Sequence, residues 1–184
     1  MSNNLTYIII VVVVLILLMY NMLISKRNNV KKAQSNIGTY TQKRLDVLTS
    51  MVEAVKKYIS FEGDLQEKLA RIRKGLSDGK SNGDFSKVLE ANNDVSALTK
   101  EIQVSVEAYP DLKSSDLFLR LMEETSTVEA EINAARRVYN DNVNSYNTSL
   151  EILPTSILGA LMGCQKEVLF EAEEVAAKRP KLFE

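Results

Sequence analysis

The chain has 184 residues, with 23 basic and 24 acidic side chains and a net charge of −1. This near balance excludes a strongly basic nucleic-acid-binding protein, so no nucleic-acid partner is predicted. Histidine is absent and Cys164 is the single cysteine. The usual zinc sites, histidine-assisted nucleophiles and a disulfide within the chain are therefore excluded, and no cofactor or metal is predicted.

Residues 7–24 form an apolar run, interrupted only by Asn21. Eighteen helical residues extend about 27 Å, close to the hydrocarbon thickness of a bilayer. No basic residue precedes the run and no small-residue cleavage site follows it. These features predict an uncleaved transmembrane helix after a short tail, residues 1–6, and not a secretory signal peptide.

A basic cluster follows the apolar run directly. By the positive-inside rule, it predicts a single-pass protein of the cell membrane, with its N-terminus outside and residues 25–184 in the cytoplasm. A contact of this cluster with anionic lipid headgroups is the alternative use of the same charges. The cluster consists of Lys26, Arg27, Lys31 and Lys32.

Beyond the span, apolar residues recur at intervals of three, four and seven, which predicts amphipathic helices. The first predicted helix covers residues 28–74, with Gly38 as its expected kink and Arg44 on its charged face. The sequence GLSDGKSNG, residues 75–83, predicts a loop because it is rich in Gly, Ser, Asp and Asn.

A second helix is predicted over residues 84–108, ended by Tyr109-Pro110. A third begins with Ser114 or Ser115 as its N-cap and stops at Pro154. Its apolar stripe is the most regular in the chain: Leu117, Leu121, Val128, Ile132, Ala135, Tyr139, Val143, Tyr146 and Leu150.

Two short helices are predicted to follow. One is capped by Thr155-Ser156 and runs through Met162, and the other covers residues 170–178. The apolar stretch 157–162 is interpreted as a cap over the end of the bundle, with dipping into the membrane interface as the alternative. Together these elements predict an all-α protein, in which the transmembrane helix precedes an elongated antiparallel bundle of three or four helices.

The acidic clusters are interpreted as solvated helix faces and not as metal ligands. They are Glu123, Glu124, Glu129 and Glu131, and Glu171, Glu173 and Glu174.

A Tyr-Asn pair occurs twice, seven residues apart, as Tyr139-Asn140 and Tyr146-Asn147. One interpretation places the tyrosines in the core and uses the asparagines for hydrogen bonds between helices. The other makes the four side chains a polar groove for a partner or a ligand.

The segment YNMLISKRNNVKKAQSNI, residues 20–37, resembles the opening of the LemA family, with its Tyr-Asn, Arg-Asn-x-Val and Ala-x-Ser-x-Ile elements. Later segments continue the likeness in order: Lys43-Arg44-x-Asp46, Val55-Lys56-x-Tyr58, Tyr109-Pro110-Asp111-Leu112-Lys113, Ala134-Ala135-Arg136-Arg137-x-Tyr139-Asn140, Tyr146-Asn147, Leu153-Pro154, Phe170-Glu171-Ala172 and Pro180. The chain departs from the family pattern at Gln34, Thr49, Phe61 and residues 38–41.

The resemblance implies a bacterial single-span membrane protein with a helical-bundle domain over residues 25–184, and it implies no settled activity. Some family members lie in gene neighbourhoods with membrane metalloproteases, which makes such a protease one possible partner. The predicted function is a non-enzymatic, membrane-anchored scaffold that binds a membrane protein or a second copy of itself. The alternatives are a membrane-shaping, lipid-contacting protein and an enzyme that uses only carboxylates and tyrosines.

The partner-binding residues are predicted in two groups, since arginine and tyrosine are enriched among residues that dominate interfaces. They are Tyr20, Asn21, Arg27 and Asn28 beside the membrane, and Arg136, Arg137, Tyr139, Asn140, Tyr146 and Asn147 on the third helix.

Overall fold

The computed structural model describes residues 2–56, 58 and 64–170, and the regular elements in these ranges are all α-helices. The helices are α1 (Ser2–Val55), α2 (Asp64–Asn82), α3 (Phe85–Val106), α4 (Pro110–Lys113), α5 (Asp116–Glu151) and α6 (Thr155–Leu161). The prediction of an apolar N-terminal helix followed by a helical bundle is confirmed.

The chain divides into two compact units. The first unit contains α1 up to Lys32 and the described residues from Arg136 onwards, and the second unit contains Ala33–Ala135. The long helices α1 and α5 each contribute residues to both units.

The core of the second unit consists of the apolar stripes that the sequence predicts on α1, α2 and α3. Leu45, Leu69 and Val95 represent these stripes, and each is at most 6% exposed. Helix α5 adds Ile132, which is 2% exposed. Because each helix carries one apolar face, burying all four faces against one another forms the bundle.

The first unit has a smaller core and a long exposed apolar segment. Leu23 and Val30 of α1 are buried, as are Tyr139 and Tyr146 of α5. The residues of α1 from Tyr7 to Leu18, by contrast, are 48–68% exposed. Helix α1 is therefore apolar on every side in its N-terminal part and amphipathic afterwards.

The single helix predicted over residues 28–74 is wrong, because α1 ends at Val55 and α2 begins at Asp64. In α2 the stripe that includes Leu65 and Ile72 is buried, whereas a straight continuation of α1 would leave it in water. The predicted interruption at Gly38 is also wrong, since α1 is continuous there.

The loop predicted over residues 75–83 is wrong as well, because α2 continues through Asn82 and only Gly83 takes a positive φ, 67°. Leu76 is fully buried on this turn of the helix. Gly79 lies against α3, where an added Cβ would come within 3.0 Å of the Asp84 carbonyl oxygen. Burial and close packing thus override the loop-forming composition.

The ends of the later helices agree largely with the sequence. Asp84 caps α3 by accepting a hydrogen bond from the Lys87 backbone N–H at 3.4 Å, and Ser115 Oγ accepts one from the Phe118 N–H at the start of α5. Thr155, however, is the first residue inside α6 and does not cap it, because its hydroxyl donates to the Ile152 carbonyl.

The stripe of α5 is confirmed from Leu121 to Tyr146 but wrong at its first residue. Leu117 is 56% exposed, and Phe118 is buried in its place. Both residues lie at helical spacing from Leu121, so the sequence pattern alone permitted either. Of the last predicted helix, residues 170–178, only Phe170 lies within the described residues, and it is buried.

Two glycines of α2 provide a test of its helical structure. An added Cβ at Gly75 would meet no atom within 4 Å, whereas one at Gly79 would meet Lys87 and Val88 at 3.0–3.1 Å. We expect Gly75→Ala to stabilise the protein by about 0.5–1 kcal/mol and Gly79→Ala to destabilise it by about 1–3 kcal/mol. Chemical denaturation of the full chain in detergent measures both. If Gly75→Ala destabilised the protein instead, residues 75–82 would not be helical.

Candidate functional site

The two asparagines of the Tyr-Asn repeat hold the backbone of the segment that follows α6. Asn140 donates from Nδ2 to the Phe170 carbonyl at 3.0 Å, and its Oδ1 accepts from the Phe170 N–H at 2.8 Å. Asn147 makes the same pair of bonds with Glu167, at 2.8 and 2.9 Å. Each side-chain amide thus makes the two hydrogen bonds that a residue of a paired β-strand would make, because it bonds both the N–H and the carbonyl of one non-helical residue.

Tyr139 and Arg136 hold the same segment. The Tyr139 hydroxyl donates to the Val168 carbonyl at 2.8 Å, and the ring is 2% exposed. The Arg136 guanidinium lies over the Phe170 ring, 4.3 Å from its centre, which is a cation–π geometry. One face of α5 therefore binds residues 167–170 through backbone bonds and a ring contact.

Tyr146 is 1% exposed and lies beside Cys164 and Arg27. Burial, assisted by a hydrogen bond with Cys164 and by the charge of Glu167, raises the pKa of Tyr146 to about 12, while Arg27 opposes the shift. The first unit thus brings Arg27 of α1 close to the Tyr-Asn repeat of α5. Sequence spacing could not indicate this proximity.

These contacts test the structural interpretation of the Tyr-Asn repeat, in which the tyrosines lie in the core and the asparagines hydrogen-bond between helices. Both tyrosines are core residues, as the first interpretation predicts. The hydrogen bonds of the asparagines run to the backbone of residues 167–170 and not between helices, so that part is corrected. The reason is that a segment without helical structure presents unsatisfied N–H and C=O groups. Partner binding by these residues stays a prediction.

The other predicted partner-binding residues have solvent-accessible side chains. Tyr20 is 44% exposed, and Arg136 is partly buried beneath its contact with Phe170. The remaining four are all exposed: Asn21, Arg27, Asn28 and Arg137.

The second unit contains a buried arginine, Arg44, whose burial the sequence did not predict. Arg44 was predicted on the charged face of its helix, yet it is 6% exposed. Its Nη1 donates to Ser96 Oγ and its Nη2 pairs with Glu129 Oε1, both at 2.6 Å. The available signal was spacing, because Arg44 lies seven residues after Ile37 and four before Leu48, on the face of α1 that is buried. The apolar stem of an arginine can lie along such a face.

Two acidic residues of α5 form ion pairs with α1 and are therefore not simply part of a solvated face. Glu129 pairs with Arg44, and Glu131 pairs with Lys43 at 2.7 Å. Glu171, Glu173 and Glu174 lie outside the described residues. Within the described part of the chain, no group of three or more Asp, Glu, Cys or His side chains could hold a metal ion.

Among the described residues, one helix, Asn4–Val55, is long and apolar enough to cross a membrane by its length and composition. In its most apolar window only 6% is buried inside the protein, unlike the core helix of a soluble protein. The fold and the site therefore define a helical-bundle protein with an exposed apolar helix at its N-terminus.

The comparisons with known proteins supply the family. The model of the LemA family matches residues 33–183, most of the chain, and the chain belongs to this family. Among curated proteins, Protein LemA of Metamycoplasma hominis is 28% identical over 155 residues, which cover 84% of this chain and 70% of the relative.

The asparagine contacts predict a local stability effect. Asn147→Ala leaves the Glu167 N–H and carbonyl without their partner, and we expect a loss of about 1–3 kcal/mol in the free energy of unfolding. The matched control is Asn144→Ala, at an exposed position one turn earlier on the same helix. Limited trypsin digestion should cleave Asn147→Ala faster than the control at Lys166. Equal cleavage and equal stability would show that the contact holds nothing in place.

The raised pKa of Tyr146 predicts a stability change at alkaline pH. The unfolded tyrosine ionises from its ordinary pKa of 10.0, but the folded one does so only near 12. The stabilisation is therefore complete below pH 10 and is lost as the pH rises from 10 to 12. Between pH 9 and 11, the native chain should lose about 1 kcal/mol more than Tyr146→Phe, measured by denaturation at each pH. Parallel losses would place the ring in water.

Proposed function

We propose that this protein is a non-enzymatic scaffold, anchored in the cell membrane by the apolar part of α1, that binds a membrane protein or a second copy of itself. One observation carries the proposal. The exposed apolar residues from Tyr7 to Leu18 and the buried core residues Leu23 and Val30 belong to one uninterrupted helix. An anchor without a break ties the folded unit to the bilayer, as a scaffold requires.

The proposed membrane segment satisfies the physical requirements of lipid. Helix α1 pairs its backbone groups internally, so they do not need water, and its side chains from Tyr7 to Leu18 are all exposed. Exposure of this many large apolar side chains to water would favour aggregation, whereas a bilayer removes them from water.

We further propose that the N-terminus lies outside the cell and the domain lies in the cytoplasm. The support is the charge pattern: residues 1–25 carry no charged side chain, while Lys26 and Arg27 follow at once.

Cysteine accessibility tests this orientation. In a Cys164→Ser background, Val104→Cys places a thiol at a position that is 70% exposed. An impermeant maleimide should leave it unlabelled in intact cells and label it after permeabilisation. Labelling in intact cells would reverse the proposed orientation without affecting the anchor.

The non-enzymatic part of the proposal rests on how the candidate catalytic groups are used. Glu129 and Glu131 are held in ion pairs with Arg44 and Lys43. Tyr139 donates to a backbone carbonyl, and the pKa of Tyr146 is raised to about 12, further from the neutral pH at which general acid–base catalysis is most efficient. These groups serve the architecture, which favours the scaffold over an enzyme built from carboxylates and tyrosines.

The proposed partner surface combines Arg137 on α5 with Arg27 and Asn28 on α1. All three side chains are exposed. Arginine forms planar hydrogen bonds to carboxylates and stacks on aromatic rings, so it is well suited to anchor a protein interface. Tyr20 and Asn21 extend the same set towards the apolar segment of α1.

A substitution at Arg137 tests this surface. If Arg137 is a central contact, Arg137→Ala should lower affinity by about 2 kcal/mol, roughly 30-fold, while leaving the melting temperature unchanged. Arg120→Ala, another exposed arginine of α5, is the matched control. The measurement is capture from native membranes by the tagged full-length chain, with a second, differently tagged copy present to detect self-association. Equal capture by both variants would remove Arg137 from the proposed surface.

A further inference from the structure

We propose that the turn between α5 and α6, together with α6, lies in the membrane interface and contacts lipid beside the anchor. The inference rests on the proposed membrane anchor. It assigns a second lipid-contacting element to residues 152–161, in addition to α1.

The first observation is an exposed apolar patch. Four large apolar side chains in this short stretch are each more than half exposed: Ile152 at 52%, Leu153 at 74%, Ile157 at 60% and Leu161 at 80%. Helix α6 buries Thr155 and Gly159 and turns its larger side chains outwards, so its orientation is the reverse of a core-forming helix. The interpretation of residues 157–162 as a cap over the end of the bundle does not by itself explain why Ile157 and Leu161 are exposed.

The second observation fixes where the patch lies along α1. A Cβ built on Gly159 would come 2.7 Å from Leu150 Cδ2 of α5 and 3.8 Å from Leu23 Cδ2 of α1, so α6 packs against α5 and also against α1 at Leu23. Leu23 is fully buried and belongs to the predicted span, residues 7–24. If this span fills the hydrocarbon core, Leu23 lies within about 2 Å of its edge, given the helical rise. Helix α6 is therefore at the boundary between hydrocarbon and headgroups.

The third observation is the charge pattern. Residues 152–165 contain no charged side chain, and this is the longest uncharged run after residue 25. Glu151 and Lys166, which border the run, pair with each other at 2.6 Å. An uncharged apolar stretch bounded by a neutralised pair is suited to shallow immersion of about 5–10 Å, the usual depth of interfacial helices.

Lipid is favoured over a second copy of the chain because of continuity with α1. Leu17, Leu18 and Met22 are 41–60% exposed, and lipid surrounds them once α1 is inserted. The patch on α6 begins beside Leu23, one residue further along. The bilayer that covers α1 therefore also covers the patch.

The test uses the full-length chain in phosphatidylcholine vesicles, with the native cysteine replaced by Cys164→Ser. An environment-sensitive fluorophore is attached at Leu161→Cys, at Val104→Cys as the matched exposed apolar control of the second unit, and at Ile16→Cys as the anchor control. Iodide in the buffer and bromine-labelled lipids are the two quenchers.

We expect the label at Leu161 to show blue-shifted emission, loss of iodide quenching and quenching by bromines near the headgroups. The label at Ile16 should respond to bromines near the bilayer centre, and the label at Val104 to iodide alone. Iodide quenching at Leu161 equal to that at Val104, with Ile16 still quenched by lipid, would overturn the inference and leave the anchor intact. Shielding of Leu161 from both quenchers would overturn it in favour of a protein contact. Loss of lipid quenching at Ile16 would overturn the anchor and this inference together.

Discussion

The structure depends on one constraint, which is that α1 joins an exposed apolar segment to an amphipathic segment without a break. From Tyr7 to Leu18 its side chains are apolar on every side and exposed, whereas from Leu23 onwards only one face is buried. A helix serves both parts because its backbone hydrogen bonds are internal, so neither segment depends on water for them. The remaining helices need to cover only the apolar stripe of α1. Helices α2, α3 and α5 each carry an apolar face that does so.

The segment after α6 is the place where helical bonding is not available. Residues 163–170 have no regular structure, so their N–H and C=O groups need partners from elsewhere. Asn140 and Asn147, two turns apart on α5, each supply a donor and an acceptor to one residue of this segment. The buried ring of Tyr139 adds a bond to Val168. A short polar repeat thereby holds a non-helical chain against a helix.

The second unit buries a charged side chain. The Arg44 guanidinium is almost fully buried and pairs with Glu129, whose side chain is 47% exposed. Loss of Glu129 would leave the buried guanidinium without its carboxylate partner, which costs about 3–5 kcal/mol in a fully buried pair and less here, because Glu129 is half exposed to water. In the same unit, the side-chain amide of Asn92 is fully buried, and no hydrogen-bond partner for it lies among the described residues.

The sequence alone determined the fold class, the apolar helix and most core residues, because hydrophobic periodicity directly reflects which face of a helix leaves water. It also predicted a helix start at Asp84 and another at Ser114 or Ser115, of which the structure uses Ser115, since capping is a local interaction. Only the tertiary structure decided that α1 ends at Val55 and α2 begins at Asp64, why residues 75–82 are helical and what the asparagines hold. Each of these depends on packing between separate elements, such as Gly79 against the start of α3 or Asn140 against Phe170, thirty residues further on. A local pattern carries no information about such partners, so the exposed orientation of α6 also emerged only from the packing of Gly159 against Leu23.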